Sequence, residues 1–185
     1  MKLIKTSSLG LGIFLSCCLV IAEEHPANSS DAKSPEPTTY QVRNQKYREL
    51  LRPRDANGAN GTRLVLYPPQ PWKCMTWRLQ PAGEATFQVK NIFTSKTFAA
   101  EATTNQAHQA VIQVPMKKDA AEIPTWQFAK LEDGSYKITD AKSGKALTAV
   151  KDANDDEVKI AVEPWRNKDE QKWELQKIDP KQLTM

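Results

Sequence analysis

Residues whose chemistry could support catalysis are few in this chain, and their spacing forms no catalytic constellation. The two histidines, His25 and His108, lie far apart, and His25 falls in a polar tail segment, so the fold has no histidine pair to position. No Cys/His cluster has the spacing of metal ligands. No glycine-rich phosphate loop follows a predicted strand, and no Gly-any-Ser-any-Gly elbow occurs. The sequence therefore predicts a protein that is not an enzyme, with no catalytic residues and no cofactor.

One loop contains a cluster of acidic residues. Asp152, Asp155, Asp156 and Glu157 lie within the stretch "KDANDDEV". Carboxylates can bind calcium, but the regular alternation of ligands found in calcium loops is missing here. We interpret the cluster as a solvated turn, with calcium binding as the alternative.

Two tryptophans in loops are candidates for contact with a ligand. Trp72 and Trp165 each follow a proline, beyond a predicted strand. A large ring left in water needs a reason, so each ring either stacks on a ligand or covers the side of the domain. The residues alone leave both interpretations open. Tyr67 is a third aromatic candidate for ligand contact.

The elements that position these residues begin after an N-terminal leader. Residues 1–22 have a basic start, an almost wholly apolar run from residue 9 and a small residue, Ala22, at the end. This pattern is typical of a signal peptide cleaved after Ala22, and the run is too short to span a bilayer. A lipoprotein signal using Cys17 or Cys18 is the alternative. In either case we expect a secreted or periplasmic protein without stable membrane insertion.

The remaining chain carries little charge and one cysteine. Residues 23–37 have no apolar residue larger than alanine and predict a flexible linker. Loss of residues 1–22 removes two lysines, so the net charge falls from +4 to 24 − 22 = +2. Such a balance does not favour nucleic acid as a partner. Cys74 has no cysteine to pair with and is expected to be a buried small residue.

An internal repeat organises everything after the linker. Tryptophans in similar contexts occur at Trp77, Trp126 and Trp173, with spacings of 126 − 77 = 49 and 173 − 126 = 47. A second motif, "TYQVRN", "TFQVKN" and "SYKITD", begins at residues 39, 86 and 135, with spacings of 47 and 49. Two independent motifs with matching periods indicate a threefold repeat. The three tryptophans are expected to fill the centre of the domain.

Each repeat is predicted to contain four short strands. In the third repeat, apolar residues alternate in "SYKIT", "EVKIAV" and "KWELQKI", and turn residues separate these segments. No stretch has ten residues of helical period, and only "KDAAE" and "NKDEQ" predict short turns of helix. Three equivalent units without capping units favour a closed all-β architecture that leaves no strand edge exposed.

With these features, residues 38–179 resemble a ricin-type β-trefoil, with 180–185 as a tail. The stretch from Ser143 to Leu175 carries the resemblance, including the Gln-any-Trp motif at Gln171–Trp173. The other repeats keep the tryptophan but have Met75 and Pro124 in place of the glutamine. The resemblance implies a β-trefoil of three four-stranded repeats with pseudo-threefold symmetry and one shallow sugar pocket per repeat.

In the third repeat, the resemblance implies a carbohydrate site at the loop before the last strand. Such sites use an acid from the second strand, an aromatic residue near the end of the third, and an Asn or Gln before the closing tryptophan. Thr148, Trp165 and Asn167 are the matching candidates, with Asp169 and Glu170 nearby. Gln171 completes this candidate set and is expected mainly to hold the backbone.

The other two repeats match the pattern less completely. In the first, Tyr67 and Trp72 supply aromatic surface, and Asp55 or Glu49 stands in for the acid because Arg52 occupies its usual position. In the second, the acid position falls at Ala99 or Ala100 and the third strand is followed by Met116. We expect no working site there.

These features are consistent with two functions. The first is a secreted lectin-like module that holds a glycan or glycoconjugate by aromatic stacking and polar contacts. The alternative is a non-catalytic β-trefoil that binds a protein partner or inhibits an enzyme. Competition by simple sugars would separate the two.

Overall fold

The computed structural model describes residues 38–102 and 109–184. The predicted leader and linker, together with His25 and His108, lie outside these residues. Each of the twelve predicted strand segments contains a strand, and the predicted short turns at "KDAAE" and "NKDEQ" are 3₁₀ turns, Ala120–Glu122 and Asp169–Gln171. The strands are β1 Thr38–Asn44, β2 Leu50–Pro53, β3 Leu64–Tyr67, β4 Thr76–Gly83, β5 Thr86–Asn91, β6 Thr97–Ala100, β7 Gln109–Val114, β8 Thr125–Lys130, β9 Tyr136–Asp140, β10 Ala146–Lys151, β11 Val158–Glu163 and β12 Lys172–Lys177.

Six of the strands close into a barrel. β1 pairs with β4, β4 with β5, β5 with β8, β8 with β9, and β9 with β12, and β12 returns to pair with β1. All six pairings are antiparallel. Because the ring is closed, each of these strands has a paired neighbour on both sides within the barrel, and no barrel strand is left as an exposed edge.

The other six strands form three hairpins, β2–β3, β6–β7 and β10–β11. β11 joins the hairpins together through short pairings with β3 and β7. A six-stranded barrel with three joined hairpins is the β-trefoil architecture that the family resemblance implied, and it is closed as the repeat predicted. The all-β fold class is therefore confirmed.

The three repeated tryptophans lie at the centre of the core. Trp77, Trp126 and Trp173 are each 0% exposed. Their indole N–H groups donate to the carbonyl oxygens of Leu51, Phe98 and Leu147, at 2.9, 3.2 and 3.0 Å. A buried indole needs such a partner. The three acceptors occupy equivalent places in β2, β6 and β10, so each tryptophan ties its barrel strand to the hairpin of its own repeat.

A second threefold feature is the turn that follows β1, β5 and β9. Each strand ends on a residue whose side chain accepts from backbone N–H groups of the turn: Asn44, Asn91 and Asp140. Four residues later the backbone is left-handed in all three turns, at Arg48 (φ 61°), Ser95 (φ 59°) and Gly144 (φ 69°). Only the third repeat places a glycine there, although this conformation favours glycine.

The C-terminal residues pack onto the first repeat. After a 3₁₀ turn at Pro180–Gln182, Thr184 forms a parallel bridge with Trp72. The Lys73 N–H donates to the Thr184 carbonyl at 3.1 Å, and the Thr184 N–H donates to the Pro71 carbonyl at 2.8 Å. The segment predicted as a tail is therefore ordered as far as Thr184. Among the described residues, no helix has the length and apolar character needed to cross a membrane.

Candidate functional site

A polar cavity lies at the predicted site of the third repeat. Its volume is about 260 Å³, and it is lined by residues 148–151 of β10, by Glu163 at the end of β11, and by the loop that precedes β12. Lys46 and Tyr47, from the turn after β1, complete the wall. Of the candidates predicted in this repeat, Thr148 and Gln171 line the cavity.

Gln171 holds the loop against the hairpin strand. Its side chain is 2% exposed, and its Nε2 donates to Thr148 Oγ1 at 3.1 Å and to the Pro164 carbonyl at 2.9 Å. Its Oε1 accepts from the Arg166 N–H at 2.7 Å. The Thr148 hydroxyl donates in turn to the Ala146 carbonyl at 2.9 Å. Both side chains are therefore engaged within the protein, and they shape the cavity wall.

The loop itself turns at Asn167. This residue has a left-handed φ of 55°, a conformation that asparagine tolerates better than most residues. The turn lies between Arg166 and Lys168, which both line the cavity. The Gln171 N–H then donates to the Lys168 carbonyl at 2.9 Å, which closes the 3₁₀ turn before β12. In the structure, Asn167 sets the course of the loop and is not among the lining residues.

An ion pair crosses the cavity between the first and third repeats. Lys46 Nζ lies 2.6 Å from Glu170 Oε1. The hydrogen bond with Lys46 lowers the pKa of Glu170, and the same bond raises the pKa of Lys46. Asn44 Nδ2 also donates to the Glu170 carbonyl at 3.0 Å. These contacts fix the turn after β1 beside the loop of the third repeat.

Tyr47 brings an aromatic ring to the cavity, and the sequence motifs did not predict it. The side chain is half-buried and packs against the main core, and Lys46 Nζ lies 5.4 Å from the ring centroid. The sequence offered no signal for this residue, because it belongs, with Lys46, to a different repeat from the rest of the wall. Ser143, its equivalent in the third repeat, lines a cavity of the second repeat, so both cavities take part of their wall from the turn of the repeat that follows in the ring.

Trp165, the predicted aromatic residue of this site, points elsewhere. It is half-buried and is not among the residues that line the cavity. Lys137 Nζ, from β9, lies 5.3 Å from the centroid of its ring. The Trp165 ring therefore lies on the side of the domain, covered by the Lys137 side chain. Its role in ligand contact stays a prediction.

In the first repeat, the predicted aromatic residue Tyr67 packs between Arg52 and Trp72. The guanidinium carbon lies 3.8 Å from the centroid of the Tyr67 ring, and Tyr67 lies 5.8 Å from Trp72, centroid to centroid. Arg52 is 9% exposed. It comes directly after Leu51, whose carbonyl accepts from Trp77, so it is the equivalent in the first repeat of Thr148, which comes directly after Leu147. Cys74 is buried nearby, as predicted, and burial raises the pKa of its thiol.

The acids considered for the first repeat lie apart from this cluster. Asp55 is exposed, with a left-handed φ of 54°, in the 3₁₀ turn Arg54–Ala56. Glu49 is half-buried, and burial raises the pKa of its carboxyl. Neither carboxylate forms a hydrogen bond with Tyr67 or Trp72 within the described part of the chain. Their roles in sugar binding stay predictions.

The second repeat has a wide cavity without an aromatic wall. Its volume is about 810 Å³, and Ala99, Ala100 and Thr125 are among its lining residues. No aromatic side chain lines it within the ranges 38–102 and 109–184. The expectation that this repeat has no working site stays a prediction.

The acidic loop between β10 and β11 is built from ion pairs. Lys159 Nζ lies 2.9 Å from Asp152 and 2.7 Å from Asp155, and Arg54 lies 2.6 Å from Glu157. The hydrogen bond with Lys159 lowers the pKa of Asp155. Across the described residues, no group of three His, Cys, Asp or Glu side chains could hold a metal ion.

The match to a known family covers the third repeat. Residues 124–184 match the model of the family described as ricin-type beta-trefoil lectin domain-like. No curated protein matches the chain by sequence. The match begins after Lys46 and Tyr47, so it contains only part of the cavity wall.

Solved structures share the fold over nearly the whole domain. The designed threefold-symmetric protein ThreeFoil aligns with a TM-score of 0.68 and 21% identity, over 76% of this chain and 99% of that one. The Rhizoctonia solani agglutinin gives a TM-score of 0.65 and 18% identity, over 78% and 98%. The exo-β-1,3-galactanase 1,3Gal43A from Clostridium thermocellum gives 0.68 and 20%, over 78% of this chain but only 31% of that one. These likenesses confirm the β-trefoil fold. The family-model match supports the ricin-type resemblance over residues 124–184.

Proposed function

We propose that this protein is a carbohydrate-binding module whose working site is the cavity of the third repeat. One observation carries the proposal. The repeat that matches the lectin-like family and keeps the full Gln-any-Trp motif is the repeat in which Gln171 holds a loop over a cavity of about 260 Å³. A pocket with fixed walls and converging polar groups is what recognition of a small ligand requires.

The cavity contains both kinds of group that a sugar ring needs. Tyr47 supplies a half-buried aromatic ring for the apolar face of the sugar. Glu163, which is 8% exposed, brings a carboxylate to the lining, next to the position where Thr148 has none. We assign hydroxyl recognition to Glu163 and to the charged groups of the rim, with Thr148 and Gln171 fixing the wall behind them.

The other repeats do not compete as sites of the same kind. In the first repeat, the Tyr67 ring packs on Arg52 and on Trp72, so this ring already has protein partners. The cavity of the second repeat lacks an aromatic ring among its described lining residues. We therefore propose one principal sugar site per chain. Secretion or export to the periplasm, with a leader cleaved after Ala22, remains part of the proposal, as does a non-catalytic role.

A glycan array followed by titration calorimetry on each ligand tests the proposal. Tyr47→Ala is the main variant, and we expect it to lower affinity at least about fivefold, because ring stacking contributes on the order of 1 kcal/mol beyond area burial. Tyr136→Ala is the matched control, since Tyr136 is also half-buried, packs against the same core and does not line this cavity. It should lose stability without losing affinity.

Trp165→Ala separates the two interpretations of that ring. Unchanged affinity would assign Trp165 to packing, whereas a loss equal to that of Tyr47→Ala would extend the site to the side of the domain. Absence of binding to every glycan, by a folded protein, would overturn the proposal. A search for a protein partner would then follow.

A further inference from the structure

We infer that the glycan bound at the third-repeat cavity is acidic, with a carboxylate or sulfate group on the sugar that enters it. The inference rests on the proposed function and adds the chemical class of the ligand. It comes from the charged side chains that line the cavity, where cations outnumber carboxylates. A neutral sugar would leave this excess of positive charge without a partner.

Four cations and two carboxylates line the cavity. The cations are Lys46, Lys151, Arg166 and Lys168, and the carboxylates are Glu163 and Glu170. The balance is 4 − 2 = +2 within a space of about 260 Å³. The same excess, 24 − 22 = +2, is spread over all of residues 23–185. The lining of this one cavity therefore has the same net charge as the whole of residues 23–185.

The internal ion pair leaves most of these cations available. Lys46 and Glu170 neutralise each other at 2.6 Å. In the part of the chain that the structure describes, no carboxylate lies within 4.0 Å of the cationic nitrogens of Lys151, Arg166 or Lys168. All three residues are exposed. Lys151 and Lys168 attract the carboxylates of Glu49 and Glu170 from beyond 4.0 Å, but their exposed side chains can still be reached by an incoming anion at the rim.

The fold holds these cations on one rim. Lys151 is the last residue of β10, the strand to which Gln171 ties the loop. Arg166 is held through its own N–H by Gln171 Oε1 at 2.7 Å, and the left-handed Asn167 brings Lys168 back to the same cavity. The buried hydrogen bonds of a glutamine thus position three cations around an opening.

An acidic group at this rim gains attraction that a neutral hydroxyl does not. Each exposed ion pair contributes up to about fivefold in affinity at moderate salt. Three such cations acting on one anion favour the acidic ligand by about tenfold or more over its neutral counterpart. The preference weakens as salt rises, because exposed charges are screened.

The test uses sugars in pairs that differ by the acidic group. An array presents each glycan as its neutral form and as its uronate, sialylated or sulfated counterpart, and titration at low and high salt follows for the pairs that bind. We expect the acidic member to bind at least about tenfold tighter, and Lys151→Gln with Lys168→Gln to remove most of that preference. Lys130→Gln, an exposed lysine of β8 that does not line the cavity, is the control.

The outcomes are distinguishable. Tighter binding of carboxylated members alone, or of sulfated members alone, supports the inference and identifies the anion. Equal binding within the pairs, or a preference that survives the double lysine variant, overturns the inference and leaves the proposed function intact. Failure of every member of every pair to bind overturns both.

Discussion

Gln171 Nε2 donates a hydrogen bond to Thr148 Oγ1 over 3.1 Å, and both side chains are nearly inaccessible to solvent, at 2% and 5% exposed. The bond links the loop before β12 to the third residue of β10. No equivalent bond is possible in the first two repeats, where Met75 and Pro124 replace the glutamine. The third repeat therefore has a loop that is fixed by a polar side chain, and this distinguishes its cavity.

Replacement of Gln171 by methionine, the residue of the first repeat, should release this loop. The variant removes three hydrogen bonds and leaves the Arg166 N–H and the Pro164 carbonyl without their partner. We expect the free energy of unfolding to fall by about 2–3 kcal/mol, and glycan affinity to fall with it. Urea unfolding and calorimetry measure the two effects. Thr148→Val removes two bonds, the one from Gln171 and the one to the Ala146 carbonyl, and should cost about 1–2 kcal/mol. A larger cost for Thr148→Val than for the glutamine variant would contradict the network.

The three core tryptophans should respond alike to loss of the indole N–H. Trp77→Phe, Trp126→Phe and Trp173→Phe each leave a buried carbonyl of a hairpin strand without its donor. We expect each to lower the free energy of unfolding by about 2 kcal/mol or more, from the orphaned carbonyl and the lost volume. Guanidinium unfolding measures the change. Trp165→Phe is the control, because its indole N–H donates no hydrogen bond to the described chain, and a similar cost there would argue against the indole bonds as the cause.

At the left-handed position that the three turns share, introducing a glycine should raise the free energy of unfolding, and removing a glycine should lower it. Ser95→Gly removes the strain of a φ of 59° at an exposed residue, and we expect a gain of about 0.5–1 kcal/mol in stability. Gly144→Ala introduces that strain at a φ of 69°, where nothing within 4 Å would contact the added methyl group. We expect a loss of about 1 kcal/mol. Thermal unfolding tests the pair; changes of the same sign would rule out the backbone explanation.

Asp133 should contribute to loss of stability in acid. Hydrogen bonds from the Ser135 hydroxyl and N–H, followed by Lys172, lower its pKa from the ordinary 3.8 to about 2. Because the pKa is lower in the folded state, the stabilisation is present above about 3.8 and is lost as the pH falls toward about 2. Unfolding measured between these values should therefore show a shallower pH dependence for Asp133→Asn. Asp156→Asn, at an exposed carboxylate without an ion pair in the described chain, should keep the wild-type slope.

The fold was predictable because its constraints recur in the sequence. The tryptophans must fill one core and reach equivalent carbonyls, so their identity and spacing persist in all three repeats. Alternation within each strand indicated the all-β class for the same reason, since one face of each strand is buried. Both signals are local to a repeat and are therefore visible without a structure.

The site was less predictable because its wall crosses between repeats. Lys46 and Glu170 are 124 residues apart in sequence, and their contact depends on closure of the barrel by β1 and β12. Comparison of positions within one repeat placed Thr148 and Gln171 correctly in the lining but gave no reason to include Tyr47. It also could not show that Trp165 lies beside Lys137. The roles in sugar binding that the sequence suggests stay predictions for all of the candidates: Thr148, Trp165, Asn167, Gln171, Tyr67, Trp72 and Asp55.

The position of Lys46 and Tyr47 has a consequence for how such a protein could arise by gene duplication. A single ancestral repeat would have contained the strand and loop side of the cavity but would have lacked a neighbouring repeat to supply the turn that completes it. The complete cavity would have appeared only when three copies met in a ring, whether as separate chains or as one fused chain. Selection for the proposed ligand would thus have acted on the closed ring and not on the single repeat.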